Sequence, residues 1–151
     1  MKAISEEVSR ADLRREVERR LYRINALKMR VEDHEAELKE LGTLEIDKLR
    51  SHSKSFVSIL KPGMRVDPID AHEAQLALIR SYINGDTREI DIITRACSRI
   101  GGDPFYPALS EKYFRRTADS DIQKILSCSR QALWRNRVRL LDTLVTLLYG
   151  A

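Results

Sequence analysis

Apolar residues recur at seven-residue intervals through the first third of the chain, where neither Gly nor Pro interrupts the run from Ser9 to Leu41. Val17, Ile24, Val31 and Leu38 form one set and Leu13, Leu27 and Leu41 the other, with Arg20 and His34 breaking the second. This spacing predicts a long helix of roughly four heptads with a single apolar seam. Two coverings of that seam compete: a second helix of the same chain, or the first helix of another copy. In the second case Val17, Ile24, Leu27, Val31, Leu38 and Leu41 are the oligomerisation residues of a homodimer, β-branched residues in one set with Leu in the other favouring a parallel pair.

A second heptad-like set runs from Pro68 to Ile100, with Leu76, Ile83 and Ile90 alternating with Ile79, Ile93 and Ile100. It keeps register across Asn84-Gly85, where Asp86 and Glu89 could open a fresh capping box, so two collinear segments are expected. Between the two sets, about 42–67, Ser, Pro and Gly replace periodicity and predict a connector. Phe56, Val57, Ile59 and Leu60 are its apolar cluster, expected to dock on the helices. Gly101-Gly102-Asp103-Pro104 stops the second helix and divides the chain into 1–102 and 103–151.

The last third reads as helix, tight turn, helix. Pro107 starts a short helix over Ala108 to Arg115. A second runs from Asp119 to Leu126, with Asp119 and Asp121 in the first turn where the macrodipole favours them. Ser127-Cys128-Ser129 is the turn, Ser129 an N-cap, and from Arg130 to Tyr149 nothing interrupts helical phasing. Ile122, Ile125 and Leu126 are expected to meet Leu133, Leu140 and Leu144. The surplus apolar width at Leu141, Val145, Leu147 and Leu148 calls for a further cover, from Tyr113 and Phe114 or from a partner chain. The expected fold class is all-α: a long helical hairpin or coiled coil followed by a small helix-turn-helix domain.

Charged residues are 33% of the 151 and aromatics 6%, which suits long solvated helices. Residues 104–151 hold eight Lys/Arg against four Asp/Glu. No acidic residue stands between Asp121 and Asp142, a span carrying Lys124, Arg130, Arg135, Arg137 and Arg139. One-signed charge on the outer face of a second helix is the pattern of a major-groove DNA reader. Gln131 and Arg135, with Arg130, are the base-reading candidates, since Arg pairs with guanine and Gln with adenine through two hydrogen bonds each. Lys124, Ser129, Trp134, Arg137 and Arg139 are the phosphate-contact candidates, although Trp134, at the edge of the core face, reads first as a packing residue.

Tyr113-Phe114, Asp121-Ile122, Leu126, Cys128-Ser129-Arg130, Leu133-Trp134-Arg135, Arg137 and Leu140-Leu141 resemble the C-terminal helix-turn-helix of phage transcriptional regulators of the RinA and ArpU kind. That module is in turn similar to the promoter-reading region 4 of sigma factors. Three positions depart from the pattern. Gln123 stands for a small Ala, Ser127 for the turn Gly, and Arg116 for a Gly before the motif. A positive φ at Ser127 would cost roughly 1 kcal/mol. The resemblance implies double-stranded DNA as partner, activation of phage late or packaging genes, and contact with RNA polymerase.

Cys97 and Cys128 are isolated and His34, His52 and His72 far apart, so neither a disulfide framework nor a zinc site is indicated. No phosphate-binding Gly loop, GxSxG or HExxH motif occurs, which argues against an enzyme and any cofactor. No run of apolar residues reaches membrane-spanning length and the N-terminus has no signal-peptide core, so a cytoplasmic location is expected, that of the host cell if the chain is phage-encoded. Two rivals stand beside DNA reading: a coiled-coil adaptor that binds polymerase or another protein, and a phage DNA-packaging recognition subunit, in which the reader is usually N-terminal.

Overall fold

The computed structural model describes residues 2–43 and 67–151. The expected connector, with its Phe56, Val57, Ile59 and Leu60 cluster, lies outside the described residues. Every regular element is helical, with no strand among the described residues: α1 (Lys2–Gly42), α2 (Pro68–Ile100), α3 (Pro107–Leu109) running into a π-helical turn (Ser110–Phe114), α4 (Asp119–Leu126) and α5 (Arg130–Tyr149). The all-α class stands, as do the expected ends of α2, α4 and α5.

Pro68 sits at the first position of α2, where its missing N–H is no loss, and the Asp67 carboxylate accepts from the Ile69 N–H at 2.8 Å. The helix then runs unbroken through Gly85, contrary to the two segments expected. Glycine inside a helix costs about 1 kcal/mol, less than interrupting a face that buries Ile79, Ile93, Ala96 and Ile100. Asp86 consequently opens no capping box; it lies inside the helix, 7% exposed, and accepts from Arg30 Nε at 2.6 Å.

The chain forms two compact units, Met1–Ala26 with Glu89–Ala151, and Leu27–Arg88. In the second unit Arg30 meets Asp86 and the His34 ring stacks on Tyr82 at 5.5 Å, so an advance of four residues along α1 is a retreat of four along α2. The two helices are antiparallel there, with Leu27, Leu41, Ala71 and Ile79 buried and Val31 and Leu38 half-buried.

In the first unit Val17, Leu21 and Ile24 of α1 join Ile93, Cys97 and Ile100 of α2, Leu109, Tyr113, and Leu140, Leu141, Leu144 and Val145 of α5 in one core. Tyr22 packs edge-on against Tyr113 at 4.7 Å, and the Tyr113 hydroxyl donates to Glu18 at 2.9 Å. This core corrects two expectations. The chain does not divide at 102/103, because residues on both sides of that point share one apolar interior. Nor are Val17, Ile24, Leu27 and Leu41 free to pair two copies: 0 to 5% exposed, they are already covered by their own chain. The extra apolar width of α5 is met by Tyr113, by the half-buried Phe114, and by α1 and α2.

Ile24→Ala removes a side chain from the centre of this core and is expected to lower unfolding stability by about 2 to 4 kcal/mol. Chemical denaturation at several protein concentrations checks it: the midpoint drops and does not move with concentration, as it would if Ile24 held two chains together.

Candidate nucleic-acid interface

The turn between α4 and α5 is set by backbone geometry. Ser127 adopts the left-handed conformation, φ 49° and ψ 47°, and its N–H donates to Lys124 O at 3.3 Å while that of Cys128 donates to Gln123 O at 3.1 Å. This is the Schellman ending of a helix, in which the last carbonyls are satisfied by N–H groups folding back. Among the described residues the non-glycine positions with positive φ are Arg116 and Ser127, the two places where glycine is usual in the motif that the sequence resembles. At Arg116 the strain is offset by contacts: its guanidinium lies over the Tyr22 ring at 4.4 Å and donates to Tyr22 O at 3.3 Å. Ser127 is exposed, and among the described residues none makes such a contact with its side chain.

Ser129 then opens α5 in extended conformation, its hydroxyl accepting from the Ala132 N–H at 3.1 Å. The expected N-cap is in place. Behind it Ile122, Leu133 and Ala108 form a small second core, with Leu126 and Cys128 against it. Ile125, expected in that packing, is 55% exposed instead. Leu140 and Leu144 belong to the larger core, because α4 is eight residues long and covers only the first turns of α5.

The cations of the motif divide into two groups. Arg137, expected to contact phosphate, is 5% exposed. Its Nε–H donates to Ala108 O at 3.0 Å and its terminal nitrogens to the two carboxylate oxygens of Asp119 at 2.8 and 3.3 Å. It is a clamp joining α3, α4 and α5, and a buried guanidinium is tolerable only when so satisfied. Arg139, the other expected phosphate contact, forks onto Asp103 at 2.8 and 3.0 Å and onto Asn136 Oδ1 at 3.2 Å. Asp103 in turn accepts from the Phe105 N–H at 2.9 Å, so Arg139 ties α5 to the turn after α2. The Arg137 guanidinium is withdrawn from the surface, and that of Arg139, half-exposed, already has a carboxylate partner. The partners Asp119 and Asp103 lie 18 and 36 positions away in sequence, and no local pattern announces them.

Arg130, Gln131 and Arg135 stand on the first turns of α5, all exposed, and with Trp134 they line one open depression of about 610 Å³. Trp134 is 64% exposed, so it is not the packing residue its position allowed. Lys124 is exposed on α4. Lys124, Arg130 and Arg135 make no ion pair with another described residue. Of the eight motif positions named as contacts, six therefore remain available for a ligand: Lys124, Ser129, Arg130, Gln131, Trp134 and Arg135. Ser129 offers its hydroxyl only while it continues to cap the helix.

The end of α5 is anchored too. Arg10 and Arg14 of α1 donate to Asp142 Oδ1 at 3.2 and 2.9 Å, and Arg10 also reaches Ala151 O at 2.8 Å. Arg20 bridges Glu89 at 2.7 Å and the Tyr149 hydroxyl at 3.2 Å. No helix is long and apolar enough to cross a membrane among the described residues.

Hydrogen bonds from Arg137 hold the Asp119 carboxyl below the usual carboxylate range, against some burial, with smaller help from the charges of Lys112 and Arg130. A folded-state pKa below the unfolded one stabilises above the unfolded value, near 4, and the contribution disappears as pH falls through the folded value. Thermal melts across this acid range are expected to show wild type losing stability more steeply than Asp119→Asn, which starts lower at neutral pH and converges with it. Ser127→Gly is expected to raise stability by about 0.5 to 1 kcal/mol, since glycine adopts this conformation without strain but loses more chain entropy on folding. Denaturant titration measures that gain, and Ser127→Val should shift the midpoint in the opposite direction.

Comparison with known proteins gives no match to any family model, to any curated protein or to any solved structure.

Proposed function

We propose that this protein is a sequence-reading, double-stranded DNA-binding transcriptional regulator that lays the first turns of α5 in the major groove. One observation carries the proposal: the first turns of α5 hold Arg130, Gln131 and Arg135 together and exposed, neither arginine ion-paired to a described residue, while Arg137 and Arg139 further along are each tied to an aspartate. Sorting of this kind leaves donors suited to base edges at the projecting end of a buttressed helix. Lys124 on α4 and Arg130, ion-paired to no described residue, supply positive charge for phosphate oxygens. The resemblance to phage regulators extends the proposal to activation of phage genes, with RNA polymerase as a second partner.

A protein-binding adaptor is the alternative. It is favoured by Ile125 and Trp134, large apolar side chains left exposed on the two helices of the motif.

Gel-shift titration at two salt concentrations, with duplexes selected from a random pool, decides between them. Arg135→Ala is expected to lose about 1 to 3 kcal/mol of discrimination at one base pair. Lys124→Ala should weaken binding to all sequences alike and flatten the log-log salt slope by about 0.9. A chain that enriches no sequence, with both variants indistinguishable from wild type, supports the adaptor.

A further inference from the structure

Trp134 has no role in the hydrogen-bond readout just described, yet it is the most exposed large apolar side chain of the motif at 64%. Tryptophan gains more from burial than most residues, so one held in solvent on a binding face indicates that a ligand is to cover it. It lies one turn beyond Arg130 and Gln131 and beside Arg135, and these four side chains surround the open depression, whose walls are mostly carbon. An apolar floor ringed by cations and an amide, with no acidic residue lining it, suits an occupant that is anionic overall and apolar at one point. On the major-groove edges of duplex DNA the one apolar group is the C5-methyl of thymine.

Resting on the DNA-reading proposal, we infer that Trp134 covers the 5-methyl group of a thymine in a base pair next to the one that Arg135 reads. Trp134 and Arg135 are consecutive on α5 and line the same depression, so the tryptophan and the arginine address neighbouring positions in the groove. The target then contains a thymine selected by its methyl group, in addition to a guanine selected by hydrogen bonds.

The test uses the full chain and duplexes it enriches from a random pool, resynthesised with each thymine in turn replaced by deoxyuridine, which lacks the methyl and keeps every hydrogen-bonding group. Wild type is expected to lose affinity about fourfold at one position, the worth of one methyl group taken out of water. Trp134→Ala should bind the thymine and uracil versions of that position equally, while its preference for the guanine read by Arg135 persists. Because Trp134 is exposed, the variant should melt within a degree or two of wild type. The inference is overturned if uracil is tolerated at every position while site selectivity remains, or if Trp134→Ala keeps the thymine preference. If the chain enriches no sequence, the DNA-reading proposal fails and this inference falls with it.

Discussion

Burial of the inner face of α5 is the constraint on which the first unit depends. Leu140, Leu141, Leu144 and Val145 are 0 to 3% exposed, sealed by residues from α1 and α2 that are far away in sequence. Packing of this density admits few rotations of the helix about its axis. Once the inner side is committed, the direction of Arg130, Gln131, Trp134 and Arg135 follows from helical phase alone. The ionic contacts at its far end, Arg10 and Arg14 on Asp142 and Arg20 on Glu89, are partly exposed and individually modest; they refine an orientation that apolar packing has chosen.

The arginines of the motif show how charge is distributed between architecture and recognition. Arg137 and Arg139 are two residues apart and both ion-paired, but with different acids and to different ends: one is buried and joins three helices, the other is half-exposed and holds a turn. Removing Asp119 would leave a buried guanidinium short of acceptors, a far larger penalty than losing a surface pair. Lys124, Arg130 and Arg135 make no such pair with another described residue. A cation that makes no ion pair among the described residues meets a phosphate or a base without first breaking such a pair, which is the electrostatic argument for placing the interface there.

Among the described residues, non-glycine backbone in the left-handed region lies at the approach to the motif and at its turn. Arg116 and Ser127 hold left-handed backbone conformations that L-residues adopt at a cost, and the hydrogen bonds of the Schellman ending compensate at Ser127 as the contacts to Tyr22 do at Arg116. Both positions could be suspected from sequence because glycine is usual there. What could not be foreseen was that the chain keeps the backbone conformation and accepts the side chain.

Local information determined the elements. Apolar spacing, Ser129 as N-cap, Pro68 at a helix start and the Gly101-Gly102 stop are properties of a few adjacent residues, so the ends of α4 and α5 and the helical nature of the long segments were readable from the chain. Which surfaces meet was decided by the tertiary structure. An apolar seam such as Val17, Ile24 and Leu27 carries the same pattern whether its cover is another copy or the same chain, and here the cover is the same chain. Arg135 and Arg137 are likewise indistinguishable as residues in a basic run; one is exposed and the other buried because Asp119 and Ala108 O, distant in sequence, come within hydrogen-bonding distance of only the second. Periodicity records that a face must be buried and charge that a group must be solvated or paired, but the identity of the partner is a long-range fact that exists only once the chain has folded.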